Sequence, residues 1–352
     1  MVKIFTASVV FFLLIFNAKA AIWTVSKNPG IHGMFSEITE AQADARVRPG
    51  DTLMVSRASA AYVTVTITKS LVILGEGYNS LKEQGNFLRP TINIMVLRAS
   101  ASGTVVMGFH FTNRIEVEQA GTNDIVIRNC RVNRGVWFQS HTVTNWLIEE
   151  NVFESQISTI DGILRGLNAN NVIIRNNVFG RDARISDFKN GTVNVSHNVF
   201  VSAAGDKRAA LVNCENLLVT NNIFYRRSFP TTGLRGNVIT NNIFFETGGT
   251  ELLDNTSSGN IEADPQFIQF PGDANGDFAG NVIIKDWNFK VQPGSPAVGA
   301  ATDGDNIGLM DFVILYGPPF LPYVSGLTIL NPTLPNGSEL SIQLKVKYPE
   351  NN

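Results

Sequence analysis

Groups able to do chemistry are sparse in this chain, and the densest set falls in two neighbouring stretches, "GILRGLNANN" from Gly162 and "ARISDFKNGT" from Ala183. Arg165, Asp187 and Lys189 are the candidate catalytic residues. A guanidinium neutralises a substrate carboxylate, and an amine or a carboxylate takes or returns a proton, which together meet the needs of β-elimination from a uronate. The competing reading is a solvated salt bridge, common on protein surfaces and worth less than about 1 kcal/mol.

Other constellations are weaker. Asp161 and Asp182 form a pair that could serve a glycosidase or hold calcium, although turn residues pair in the same way. Asp273, Asn275 and Asp277 have calcium-loop spacing, but Phe278 replaces the turn glycine and Ile284 occupies the place of the bidentate acid. Calcium is therefore the one cofactor candidate. The four histidines are scattered. His141 is assigned to an inward column and His197 to a turn. No H-E-x-x-H, paired-cysteine or G-x-S-x-G motif occurs, which removes the commonest zinc and serine-hydrolase readings.

What must position these groups is a repeat. Phe111, Val132, Phe153, Phe179, Phe200, Phe224 and Phe244 recur at intervals of 20 to 26 residues, a solenoid period. Two places before them run Phe109, Cys130, Asn151, Asn177, Asn198, Asn222 and Asn242. Segments such as Val172-Ile173-Ile174-Arg175 alternate apolar and polar, the two-residue period of a short strand, and no unit has room for a helix. Stacked coils would align the asparagines in one ladder and the phenylalanines in another. An earlier strand aligns Leu164 with Ile185 and Leu167 with Phe188. The same 21-residue step sets Arg165 beside Ser186, Gly166 beside Asp187 and Asn168 beside Lys189, so the three candidates share one face. The fold class is all-β, a parallel β-helix with two or three short strands per coil.

Outward positions carry their own columns. Arg128, Glu149 and Arg175 alternate in sign, which neighbouring strands stabilise without a ligand. Val126, Leu147, Ile173, Leu218 and Val238 form an apolar column broken by Asn194, which predicts a cover, with the C-terminal strands as the candidate. Cys130 and Cys214 lie four coils apart, about 19 Å at the spacing of paired strands, beyond the reach of a disulfide. Two buried free thiols are expected.

The bulk properties agree. Hydrophobic residues make up 44% and charged residues 16%, ample for a core, and a net charge of -2 gives no basic field for nucleic acid or an anionic membrane surface. Residues 1–20 combine Lys3, an apolar run from Ala7 to Phe16 and Ala18-Lys19-Ala20, the pattern of a cleaved signal peptide, so the mature chain is expected in the periplasm or outside the cell. No stretch is long and apolar enough for a membrane span. Residues 33–56 include an amphipathic helical portion ending before Pro49-Gly50-Asp51, suited to capping the first coil. The β-helix is assigned to residues 21–310, and residues 311–352 to a short C-terminal appendix of two or three strands.

The "PGDTLMV…ITKSLVILGEG" opening, the "N-N-x-F" coils and the closing "ADPQF…DWNFKVQPGSPAVGAATDGDNIG" resemble secreted bacterial right-handed parallel β-helix proteins of the pectate-lyase-like superfamily, over roughly residues 21 to 310. The resemblance implies an exported protein of polysaccharide degradation, in a group that includes lyases, epimerases and glycosidases. No complete lyase motif matches, so no catalytic role carries over residue by residue. Two functions are expected from the chain as a whole: lyase-type elimination on an acidic polysaccharide, or non-catalytic glycan binding at a surface. The partner is a polysaccharide in both cases. Oligomeric state is left open.

Overall fold

The computed structural model describes residues 20–28, 33–78, 81–83, 86–154, 164–180, 183–202, 209–228, 233–248, 252, 254–270, 288–310, 323–329 and 342–347; for 81–83, 86–88, 323–329 and 342–347 this means the backbone. Short parallel strands stack coil upon coil into three walls. Sheet A runs from Ile22–Val25 through Thr52–Val55, Val72–Gly75, Val105–Met107 and Val126–Arg128 to Asn190–Ser196, Leu217–Thr220, Val238–Thr240 and Thr256–Ser258. Sheet B holds His110–Phe111, Arg131–Val132, Val152–Phe153, Val178–Phe179, Val199–Val201, Ile223–Tyr225, Ile243–Phe245 and Ile261–Glu262. Sheet C holds Tyr62–Ile67, Thr91–Leu97, Arg114–Val117, Ile185–Ser186 and Leu211–Val212. In two coils a single long strand, Gly135–Glu149 or Leu164–Arg175, rounds the corner from C to A.

Why these residues make this shape is clearest at the corner between A and B. A left-handed residue turns the chain: Asn129, Glu150, Asn176, His197, Asn221 and Asn241 all have φ between 47° and 60°. The next residue is the ladder position. Asn198 Oδ1 accepts from Asn177 N and Asn177 Nδ2, both at 3.0 Å, while Asn198 Nδ2 donates to Ile174 O and Asn222 Oδ1. The same pattern begins at Cys130 N and runs through Asn151, Asn177, Asn198, Asn222 and Asn242 to Asn260. Asparagine thus does two separate jobs in adjacent positions. The first tolerates positive φ, a role that Glu150 and His197 also fill, and the second needs a side chain that donates and accepts at once.

Beneath the ladder the Phe153, Phe179, Phe200, Phe224 and Phe244 rings stack face to face, with successive centroids 5.0, 4.5, 4.8 and 5.2 Å apart. Registers pair each with the next, as the 20-to-26-residue spacing predicts. Cys130 and Cys214 are free and fully buried, and burial pushes both thiols up to about 12.

At the N-terminal end the short helix Ile38–Ala43 buries Ile38, Ala41 and Gln42, with Glu40 bonded back to the Ser36 N–H. Asp51 ties the first strand down by accepting from Ala21 N, Trp23 Nε1 and Arg48 N. Near the other end Tyr323–Ile329 and Ile342–Lys347 pair as an antiparallel hairpin.

One register expectation needs correction. Leu167 does not join the inward column with Phe188; it is exposed. Gly166 takes the inward place, and its missing side chain makes room for Phe138 and Phe188, whose rings lie 5.9 Å apart. A Cβ at Gly166 would come within 2.6 Å of Phe138. His141, assigned to the same column, is half-buried in the irregular middle of Gly135–Glu149.

Replacing Asn198 with Ala leaves the Asn177 N–H without its acceptor in a dry interior, while Asn177 Nδ2 keeps Ile148 O and Arg175 O, so guanidinium unfolding should show a loss of about 2 kcal/mol, against almost none for the exposed Asn170→Ala. Both native thiols should ignore a thiol reagent until the chain unfolds, and non-reduced peptide maps should contain no Cys130 to Cys214 bridge.

Candidate functional site

The three walls differ in what lies outside them. Sheet B is covered: Val152, Val178, Val199, Ile223 and Ile243 pack against Phe267, Phe289, Ala297, Ala301, Ile307 and Leu309 of the returning chain. That segment is latched to three successive left-handed corners. Met310 N donates to Asn176 Oδ1, Thr302 N to Asn221 Oδ1, and His197 Nδ1 to Gly308 O, while His197 Nε2 lies 3.0 Å from Asp303 Oδ2. His197 therefore makes a long-range contact as well as a turn.

Sheet C carries a polar stripe with an aromatic at its centre. Strand alternation turns Ile115, Val136, Leu164 and Ile185 inward, which sends Glu116, Trp137, Arg165 and Ser186 outward in one column. Arg114 pairs with Glu116 and sets its guanidinium carbon 4.5 Å from the centre of the Trp137 ring. The indole Nε1 donates to Arg134 O, fixing the ring beside Arg165.

Arg165 and Asp187 meet, with Nε 3.1 Å from Oδ2, and Asn213 Nδ2 donates to the other carboxylate oxygen at 2.7 Å. Ser186, directly paired with Arg165, is buried and its hydroxyl has no hydrogen-bond partner. Lys189 departs from the expected register. Asn168 pairs with Asn190, not Lys189, because Asp187 takes a left-handed φ of 62° and adds a residue to the corner. Lys189 N instead bonds Leu167 O, so its side chain leaves from the C-to-A corner, off the column of Arg165.

The repeat does not single out Trp137, Arg114, Ser186 or Asn213, since each occurs once in its column. The charged column behaves as opposite-sign strands should: Glu149 lies 3.4 Å from Arg128 and 2.8 Å from Arg175. Asp161, Asp182 and the calcium-like loop from Asp273 lie outside the described residues, as do residues 1–19. Among the described residues no three His, Cys, Asp or Glu side chains converge on a metal position, and no helix is long and apolar enough to cross a membrane.

A second polar cluster lies on the outer face of sheet B, around the corner from Trp137. Arg131 and Glu154 form a buried ion pair at 2.6 Å, and His110 Nε2 reaches Asn133 Oδ1 at 3.4 Å. Burial, reinforced by Arg89 and Arg131, pushes the His110 imidazole down to about 3, whereas burial raises Glu154. A histidine held neutral in the folded state favours folding above its ordinary value near 6.5, and that contribution drains away as pH falls from there toward 3, by about 1.4 kcal/mol per pH unit. Glu154 works in the opposite sense, since acid protonates it more readily in the folded chain. Thermal melts between pH 7 and pH 5 should therefore show a smaller acid loss in His110→Gln than in the parent chain.

No family profile matches the sequence, and no curated protein is similar to it at significance. Among solved structures the chain is similar to the GH136 lacto-N-biosidase from Eubacterium ramulus, at 10% identity and a TM-score of 0.40, over 69% of this chain and 67% of that one. It is also similar to pectate lyase Pel9A, at 12% identity and a TM-score of 0.42, over 82% of this chain and 96% of that one. The fold itself rests on the in-register pairing of coil with coil, which makes this chain a parallel β-helix.

Proposed function

We propose that this is an exported carbohydrate-active protein that holds an acidic polysaccharide along sheet C and cleaves it by β-elimination. The observation that carries the reading is the row Glu116, Trp137 and Arg165, in which an indole with the Arg114 guanidinium over one side stands next to a second arginine. An indole face packs against the apolar C–H side of a sugar ring, and a guanidinium matches a carboxylate with two parallel hydrogen bonds. Coils repeat at about 4.8 Å, so the row from Glu116 to Arg165 offers about 10 Å of wall to an extended chain, before the buried Ser186.

In the elimination, Arg165 neutralises the uronate carboxylate, which acidifies the neighbouring C–H; Lys189 takes that proton as the C4–O bond breaks and a C4–C5 double bond forms, and the leaving oxygen takes a proton from water. Asp187 holds Arg165 in place and is itself held by Asn213. Calcium, if the reaction uses it, adds a second cation for the carboxylate. The signal-like N-terminus supports export.

One observation favours a purely binding role instead. Asp187 is engaged on both oxygens and Lys189 stands off the column, so the strongest contacts of the face are those of a recognition surface.

The two readings separate on a panel of alginate, pectate, ulvan and glycosaminoglycans with calcium present. Ultraviolet absorbance from an unsaturated product, lost at least tenfold in Arg165→Ala and in Lys189→Ala, supports elimination. Retention of the polymer without shortening, weakened at least tenfold by Arg165→Ala or Trp137→Ala, supports binding alone. Thermal melts of the Arg165 variant should stay within about 1 kcal/mol of the parent, because an exposed pair contributes little to folding. The absence of both cleavage and binding across the panel would sink the proposal.

A further inference from the structure

Sheet A presents an outward column that is apolar over most of its length: Val72, Val105, Val126, Leu147, Ile173, Asn194, Leu218 and Val238, in register from coil to coil. Exposure is uneven along it. Leu218 and Val238 are exposed at 41% and 39%, while Val105 through Asn194 are half-buried. Asn194 is the informative member, because its Oδ1 is shielded from water and has no hydrogen-bond partner. An outward amide on an uncovered wall would be wet.

The chain itself supplies a cover of the right kind in the right place. Met310, the last residue of the segment latched over sheet B, bonds Asn176, which directly follows the sheet A stretch holding Ile173. The chain therefore leaves the described body three residues, about 10 Å, from the middle of the apolar column. Residues 311–322 can bridge up to about 40 Å, enough to reach any part of it. Beyond them comes the hairpin of Tyr323–Ile329 and Ile342–Lys347, whose register sets Val324 opposite Val346, Leu327 opposite Leu344 and Ile329 opposite Ile342. A bulge between Val324 and Gly326 corrects the parity, so all six apolar positions fall on one face of the hairpin. Gln343, Lys345, Lys347 and Thr328 fall on the other. A two-stranded hairpin is marginal alone in water and needs a surface for such a face.

We infer that the C-terminal hairpin docks its Val324, Leu327, Ile329, Ile342, Leu344 and Val346 face onto the outward column of sheet A between Val105 and Asn194. The occupant is this chain's own tail, not a second copy and not a glycan. Sheet C then differs from sheets A and B in its outward stripe of Glu116, Trp137 and Arg165.

Cysteine labelling tests this in the full-length protein, with a background set by the buried Cys130 and Cys214. Ile173→Cys should react with a maleimide at least tenfold more slowly than Val238→Cys, which lies outside the covered stretch. Adding Leu327→Asp and Leu344→Asp should bring the Ile173→Cys rate up to that of Val238→Cys, whereas Thr328→Asp on the opposite face should leave it slow. Cys130 and Cys214 remaining unlabelled in every variant certifies that the β-helix is folded; should the double variant fail that check, Leu344→Asp alone replaces it. Equal rates at the two positions in the parent chain, protection that survives a folded hairpin variant, or protection that vanishes on dilution as a dimer separates would each overturn the inference.

Discussion

Everything outside the helix inherits its spacing from one buried column of side-chain amides. Each ladder asparagine accepts from the coil before it and donates to a coil on either side, so three coils are fastened by one residue that water never reaches. Such a group tolerates almost no substitution, because a buried donor left without an acceptor costs more than the bond it replaced. The stacked phenylalanines then fill the space that the ladder fixes. Outward residues are left free to vary, and they do.

That freedom produces three unlike walls on one scaffold. Sheet B is overlaid by the chain's own return, anchored at the left-handed corners Asn176, His197 and Asn221. Sheet A keeps its apolar column. Sheet C places an indole next to two arginines, with a carboxylate and an amide closing round the second of them. A polymer needs repeated contacts along a line, and a wall whose side chains recur coil by coil supplies that geometry without any cavity.

The ladders are legible in the sequence because they are periodic: Asn177 and Phe179 announce their neighbours at every step. Arg165 and Asp187 come together from the same period. Lys189 does not, since the left-handed Asp187 adds a residue that a fixed 21-residue step does not count. Leu167 escapes the pattern for a related reason, as Gly166 yields its volume to two rings arriving from adjacent coils. Trp137 and the pair Arg131 and Glu154 carry no periodic signal at all, and only three-dimensional neighbours reveal them.

The amide column also has a direction and a terminus. Its carbonyl groups all face the lower-numbered coil, so their dipoles add along the axis and each bond polarises the next. A column of this kind resembles a growing polymer, in which the last unit always has a reactive end. At Asn260 the Nδ2 donates to Ile239 O and, in place of another asparagine, to the Ser257 hydroxyl three residues earlier in its own coil. Ser257 thus meets, at the exposed end of the described column, the donor that another asparagine meets at every earlier rung.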